Sequence, residues 1–185
     1  MKLIILDRDG VINVDSDDYI KTPDEWIPIP GSLQAIARLN AAGYKVAIAT
    51  NQSGIARGYY DIATLNAMHE KMSHLLALEN GVIDNIAYCP HGPDDHCNCR
   101  KPLPGLLLNL AESCSANLSD CFFVGDSASD LHAADNAGCK FALVKTGKGL
   151  RTINTLSEDD LKNIPVFENL AGFVSWLLDS KNSRS

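Results

Sequence analysis

Two aspartates, Asp7 and Asp9, sit two positions apart in LDRDGVIN (residues 6–13), directly after the apolar run Leu3-Ile4-Ile5-Leu6. Carboxylates at that spacing repel each other unless something positive lies between them. A third aspartate, Asp126 in GDSASD, is available from farther along the chain. Oxygen ligands of this kind suit a hard divalent ion such as Mg²⁺. With the charge neutralised, one carboxylate can attack phosphorus and form an aspartyl-phosphate. The other can trade protons with the leaving group and the incoming water. Taken singly, strand-end aspartates are common turn residues; the combination with TNQSG (residues 50–54) and a downstream lysine favours catalysis.

A second constellation is CPHGPDDHCNCRKP, residues 89–102. Cys89, His91, Cys97 and Cys99 offer three thiolates and one imidazole, a tetrahedral Zn²⁺ set. His96 competes as a ligand, but it directly precedes Cys97 and would crowd the site. Four protein ligands close the coordination sphere, so this zinc is expected to be structural. Arg100 and Lys101 follow Cys99 directly, and the metal would pin these two cations at the mouth of the site. Cys114, Cys121 and Cys139 fall within or at the ends of regular elements and read as core.

The elements that must position these residues alternate. Residues 3–7 form a short buried strand. Ser32 is expected to cap a helix closed by Gly43, and Tyr44–Thr50 to form a second strand. Asp61 caps a longer helix with Ile62, Leu65, Met68, Met72, Leu75 and Leu76 on one face, before a third strand over Val82–Cys89. Gly105–Leu118 reads as helix, Cys121–Gly125 as strand, Ser129–Ala137 as helix and Phe141–Val144 as strand. Residues 147–165 read as loop with a short helix, and Leu170–Leu178 as a terminal amphipathic helix. Such alternation predicts a Rossmann-like α/β fold, a parallel sheet with helices on both faces. In such sheets ligands bind outside the carboxyl ends of the strands, where DRDG, TNQSG and GDSASD all fall. The stretch between the first strand and the first helix is too short for a large cap domain, so residues 1–185 are expected to be one domain with the zinc-binding loop 89–102 inserted.

Bulk properties narrow the function. At 185 residues the chain can bury a substantial core without cross-links. A formal charge of -7 argues against nucleic acid as a partner. No stretch approaches a membrane span or a signal-peptide core, so no membrane association and a cytoplasmic location are expected. In that compartment six cysteines do not read as a disulfide framework. No heptad or partner helix announces a dimer, and a monomer is expected.

Over about residues 1–146 the sequence resembles the haloacid dehalogenase superfamily of phosphotransferases. The resemblance implies that Asp7 is the nucleophile, Asp9 the general acid/base, Thr50 the residue holding the phosphoryl group and Lys101 the charge-stabilising lysine. It also implies that Asp7, Asp126 and the backbone carbonyl of Asp9 bind Mg²⁺. Within the superfamily, DRDGVIN, TNQSGIARG and the zinc loop together look like the heptose 1,7-bisphosphate phosphatases. By that likeness the substrate is a small sugar bisphosphate that loses its 7-phosphate to feed nucleotide-activated heptose for lipopolysaccharide. It would touch Asp15, Ser16, Asp17, Asp18, Tyr19, Asn51, Gln52, Ser53 and Arg100. Histidinol-phosphate phosphatases share the zinc loop and stand as the alternative enzyme. A zinc-stabilised binding module is the non-enzymatic alternative, and the intact set Asp7, Asp9, Thr50, Lys101 and Asp126 argues against it.

Other residues have plainer expectations. Trp26, Tyr59 and Tyr60 read as packing, and His69 and His74 as solvated helix positions. Asp130 suits a supporting or helix-capping role. Ser127 departs from relatives that carry a phosphate-contacting lysine there, and Arg57 fits a substrate-phosphate contact or a surface ion pair equally.

Overall fold

The computed structural model describes residues 2–182. Met1 and residues 183–185, part of the expected domain, lie outside the described residues. The apolar run becomes β1 (Leu3–Leu6), buried along its whole length. It pairs in parallel with β2 (Lys45–Asn51) on one side and β4 (Phe122–Gly125) on the other. β3 (Asn85–Cys89) extends the sheet beyond β2, and β5 (Lys140–Val144) and β6 (Val166–Phe167) extend it beyond β4. The order is therefore β3-β2-β1-β4-β5-β6, all parallel. Strands buried on both faces read as continuous apolar runs, which is why LIIL and VAIA carry no polar alternation.

The pleat sends successive side chains to opposite faces. Ile4, Leu6, Val46 and Ile48 face α1 (Ser32–Ala41), α2 (Ile62–Leu78) and α7 (Leu170–Asn182). Leu3, Ile5, Ala47 and Phe123 face α3 (Gly105–Ser113) and α4 (Ala128–Ala137). The chain thus has helices on both faces of a parallel sheet, the Rossmann-like class expected. Residues 7–31 form no layer of their own: Asn13 bridges to both Asp9 and Pro28, and Trp26 is fully buried beneath them.

Asp61 caps α2 by accepting from the Thr64 N–H at 2.8 Å, as its position before an apolar-periodic run predicts. Ser32 does not cap α1. It is the first helical residue, Gly31 occupies the cap in a left-handed conformation, and the Ser32 hydroxyl is buried against the Ile12 carbonyl at 2.7 Å. α3 ends at Ser113 because Ser115 turns to positive φ, so the apolar residues up to Leu118 belong to a turn and a short 3₁₀ segment. The stretch read as loop with one helix contains two, α5 (Gly149–Ile153) and α6 (Glu158–Asn163), and β6 follows it. Strands as short as β6 carry too few residues to show a period. No helix among the described residues is long and apolar enough to cross a membrane.

The sheet order reverses between β1 and β4, since β1 is followed in sequence by β2 on one flank and much later by β4 on the other. Crevices open at such a switch point outside the carboxyl ends of the strands.

Candidate active site

A cleft of about 380 Å³ lies at that switch point. Asp7 stands at the end of β1, Thr50 and Asn51 end β2, and Asp126 follows β4. Asp9, Asp15, Ser16, Asp17, Tyr19, Gln52, Ser53, Arg100 and Lys101 complete the expected set on its walls. Asp18 is absent from them and lines a separate hollow with Lys21 and Tyr59.

Carboxylate oxygens of Asp7, Asp126 and Asp130 all lie within 4.8 Å of one another, and all three residues are buried. Burial, followed by repulsion from Asp130, raises Asp7 well above the ordinary carboxylate range. The same two causes push Asp126 up to about 7. The Lys101 ammonium sits between Asp7 (2.9 Å) and Asp130 (2.6 Å) and donates to the Ala49 carbonyl at 2.9 Å. One cation cannot balance three crowded carboxylates, so the pocket between Asp7 and Asp126 fits a divalent cation held by hard oxygens. Burial alone would lower the Lys101 pKa, yet Asp130 and Asp7 raise it, so the lysine stays charged.

Asp130 serves the cluster from behind. Its Oδ2 accepts from the main-chain N–H groups of Asp126 and Ser127, and the Ser127 hydroxyl accepts in turn from the Asp130 N–H at 3.3 Å. This capping box opens α4 and fixes both residues. It also occupies Ser127, whose side chain is spent on the cap.

Asp9 points away from the other carboxylates. Arg8 Nη2 and Nε donate to its Oδ1 at 2.9 and 3.1 Å, Asn13 Nδ2 at 2.8 Å, and Gln52 Nε2 to its Oδ2 at 2.9 Å. Although burial works to raise it, the Arg8 charge and these hydrogen bonds hold its pKa below the ordinary value. Gln52 also donates to Thr50 Oγ1 at 2.9 Å and accepts from Tyr60 Oη at 2.5 Å. Expected as a substrate contact, Gln52 is 3% exposed and saturated by protein partners. It aligns Asp9 and Thr50.

Arg8 is fully buried, and its Nη1 lies 3.3 Å from His69 Nε2. His69 is therefore not solvated as the helix pattern suggested. Burial and the neighbouring guanidinium push it down to about 4, so it accepts from Arg8 as a neutral ring. His74 is exposed, as expected. Tyr60 and Trp26 are core, whereas Tyr59 is half-exposed and meets the Tyr19 ring edge-on at 5.1 Å. Arg57 makes no ion pair among the described residues, and its guanidinium lies 5.9 Å over the Tyr19 ring.

The zinc-type loop assembles as its spacing predicts. Cys89 Sγ lies 3.7 Å from Cys97 Sγ and 2.9 Å from Cys99 Sγ, and His91 Nδ1 lies 3.3 Å from Cys99 Sγ. The Cys89–Cys97 and His91–Cys99 separations are near the edges of a tetrahedron with metal–sulfur bonds of about 2.3 Å, whereas Cys89 and Cys99 sit closer together than such an edge. His96 stays outside the cluster, in a left-handed conformation. The loop is tied to the catalytic edge by Asn51, which donates to the Lys101 carbonyl (3.1 Å) and accepts from its N–H (3.0 Å), while Arg100 Nη1 donates to the His91 carbonyl at 3.2 Å. Cys114, Cys121 and Cys139 are buried core residues.

Lys148, outside the set that the sequence motifs predict, also lines the cleft. Its N–H donates to Asp126 Oδ2 at 2.7 Å. The signal that could have found it is the polar stretch KTGKG directly after the fifth strand, at the same edge of the sheet as the three recognised motifs.

Comparison with known proteins agrees with this geometry. Residues 98–172 match a family model described as HAD-hydrolase-like. The chain is 59% identical over 177 residues to the D-glycero-beta-D-manno-heptose-1,7-bisphosphate 7-phosphatase of Pseudomonas aeruginosa, covering 95% of this chain and 97% of that one. It is 60% identical over 179 residues to the enzyme of the same name from Bordetella bronchiseptica, covering 96% and 98%. The crystal structure of a B. bronchiseptica D,D-heptose 1,7-bisphosphate phosphatase, complexed with magnesium and phosphate, superimposes with a TM-score of 0.92 at 54% identity over 97% of this chain and 99% of that one. The chain belongs to the D-glycero-beta-D-manno-heptose-1,7-bisphosphate 7-phosphatase family of haloacid dehalogenase-like hydrolases.

Proposed function

We propose that this protein is a Mg²⁺-dependent phosphoric monoester hydrolase that removes the 7-phosphate of D-glycero-β-D-manno-heptose 1,7-bisphosphate. The observation that carries the reading is the buried cluster of Asp7, Asp126 and Lys101 at the switch point, in a chain so similar to enzymes of that name. Residues 1–185 would act as one catalytic domain, monomeric and cytoplasmic, supplying heptose for lipopolysaccharide precursors.

In the first half-reaction an Asp7 carboxylate oxygen attacks the 7-phosphorus, the bond from phosphorus to the sugar oxygen breaks, and Asp9 gives its proton to that oxygen. In the free protein Asp9 is ionised; an arriving phosphate dianion adds like charge beside it and raises its proton affinity. In the second half-reaction water attacks the aspartyl-phosphate, Asp9 takes the water proton back, and Asp7 and inorganic phosphate are released. Thr50 and Ser53, both on the cleft wall, would hold the phosphoryl oxygens, and Lys101, paired with Asp7, would offset the repulsion between Asp7 and the substrate. Held by Asp7, Asp126 and the Asp9 carbonyl, Mg²⁺ would supply the charge that lets an anionic carboxylate approach an anionic phosphate. Cys89, His91, Cys97 and Cys99 would hold Zn²⁺ and thereby fix Arg100 and Lys101.

The test is phosphate release from the β and α anomers of heptose 1,7-bisphosphate and from histidinol phosphate, side by side, with Mg²⁺. Preference for the β bisphosphate by kcat/KM is expected. Preference for histidinol phosphate would overturn the substrate while leaving the chemistry.

A further inference from the structure

Three strand ends at the cleft carry residues that the reaction uses: Asp7 after β1, Thr50 in β2 and Asp126 after β4. The fourth, after β5, carries Lys145-Thr146-Gly147-Lys148-Gly149, to which the reaction as described gives no task. That stretch is nonetheless fastened to the site. Thr146 Oγ1 donates to the Gly10 carbonyl at 2.6 Å, the Lys148 N–H to Asp126 Oδ2 at 2.7 Å, and Thr152 Oγ1 to the Asp126 carbonyl at 2.8 Å. The backbones approach so closely that a Cβ on Gly147 would fall 2.1 Å from Asp126 Oδ2 and 2.5 Å from Gly10 Cα. Gly147 is also at φ +58, where a side chain is strained. The main chain of Lys148 is thus held at a fixed place beside the reacting centre.

Its side chain is held far less tightly. Lys148 Nζ lies 3.6 Å from Asp15 Oδ2, beyond hydrogen-bond range, and the side chain is 49% exposed on the cleft wall. Charge on those walls is unbalanced: five aspartates face three cations, Arg100, Lys101 and Lys148. Lys101 is committed to Asp7 and Asp130, and Arg100 spends one donor on the loop carbonyl of His91. A bisphosphate brings two strongly anionic groups, and only one can be met at Asp7. The second needs a cation with donors to spare, and an ammonium on a flexible four-carbon stem has three.

We propose that Lys148 is a specificity-determining residue whose ammonium binds the second, non-reacting phosphate of the sugar bisphosphate. The proposal rests on the bisphosphatase reading above. Asp15 keeps the ammonium turned into the cleft in the free protein, and the phosphate, with more charge and more acceptors, displaces it. Lys148 and Arg100 would then approach that phosphate as the two cations not consumed at Asp7.

The experiment measures kcat/KM of wild type, Lys148→Met and Lys148→Arg, with Mg²⁺, on heptose 1,7-bisphosphate and on heptose 7-phosphate. The readout is the ratio of the two values, the selectivity for the second phosphate. Lys148→Met should lower that selectivity by about 10- to 100-fold, the range expected for a lost hydrogen bond to a charged group. Lys148→Arg should recover most of it. Equal losses on both substrates would show that the residue acts only through the Asp126 clamp, and the proposal would be overturned. Wild-type selectivity retained in Lys148→Met would overturn it as well, leaving the bisphosphatase reading intact. Absence of selectivity in the wild type would remove the bisphosphatase reading itself, and this proposal with it.

Discussion

Asp7 and Asp9 are two residues apart and chemically alike, yet their surroundings drive them in opposite directions. Asp7 is buried among Asp130 and Asp126 with its pKa raised, whereas Asp9 is held ionised by Arg8, Asn13 and Gln52. Strand alternation would put residues two apart on the same face, but β1 ends at Leu6, and the turn at Gly10, at φ +83, carries the chain out of the strand direction so that the two side chains meet different neighbours. Asp7→Asn should abolish turnover and phosphoenzyme formation without lowering the Tm of the metal-free protein, since it removes a like charge but no core volume. A covalent phosphate trapped on that variant by acid quench would remove Asp7 as nucleophile. Asp9→Asn should reduce kcat by about 10²–10⁴, the usual share of a general acid/base. A loss below tenfold would mean that another group carries the proton. DRDG is legible as a pair of catalytic carboxylates, but the role of the intervening arginine is not: its partner His69 is 61 positions away and only the packing of α2 brings it near.

The zinc-type loop and the capping box of α4 show how whole elements hold single atoms in place. Lys101 reaches Asp7 because two fastenings hold its backbone: the Cys89, His91, Cys97 and Cys99 cluster immediately before it, and Asn51 from β2. Zinc bound there should contribute free energy on the order of 10 kcal/mol to ordering the loop. The core packed under α1, α2 and α7 contains none of the ligands, and the opposite core, to which Cys89 belongs, is otherwise built mainly from apolar residues of the sheet, α3 and α4. Removing zinc, or Cys97→Ser, should therefore leave helicity by circular dichroism nearly unchanged while phosphate release falls at least tenfold, and added Mg²⁺ should not restore it. Zinc content, circular dichroism and activity measured on one stripped sample would decide. Full activity without zinc would show that Asn51 suffices, and global unfolding would show that the loop supports the entire sheet. The ligand spacing was readable from the sequence alone; the brace from Asn51 was not, because Asn51 and Lys101 meet only when β2 and the loop share an edge.

At the scale of the whole molecule, burying Asp7 and Asp126 side by side makes stability depend on pH and on cation. For both, the folded pKa lies above the unfolded one, and for Asp126 it lies near 7. The folded state therefore binds more protons between about pH 4 and 7, and the metal-free protein loses stability as pH rises through that window. For Asp126 a shift of that size corresponds to ~4 kcal/mol. Since 1 kcal/mol moves the Tm of a chain this long by about 2–4 °C, a fall of several degrees is expected from pH 5 to 8 in the presence of a chelator. Mg²⁺ should restore the Tm at pH 8 and do little at pH 5, where Asp126 is protonated. Asp9 acts in the opposite sense, but only as pH falls through and below the ordinary aspartate range. A metal-free Tm flat across the window, read by differential scanning calorimetry, would mean that Lys101 alone neutralises the cluster.

What the sequence determined by itself was whatever is encoded locally. The apolar runs of β1, β2 and β4 must be buried on both faces, so a parallel sheet covered by helices follows from their composition, and the polar stretches after them must share one edge. Four metal-ligating residues within one loop likewise announce their cluster by spacing. Tertiary structure alone decided the rest. Gln52 lines the cleft as expected of a substrate contact, but only the fold shows that its side-chain amide is also held by Asp9, Thr50, Tyr60 and Arg8. His69 looked solvated until Arg8 ran beneath it, and Lys148 had no visible role until the turn after β5 closed on Asp126. The physical reason is the same in each case. A side chain's hydrogen-bond capacity is fixed by its type, but which partners use that capacity depends largely on residues as far as 61 positions away, brought into hydrogen-bond range only by the folded sheet.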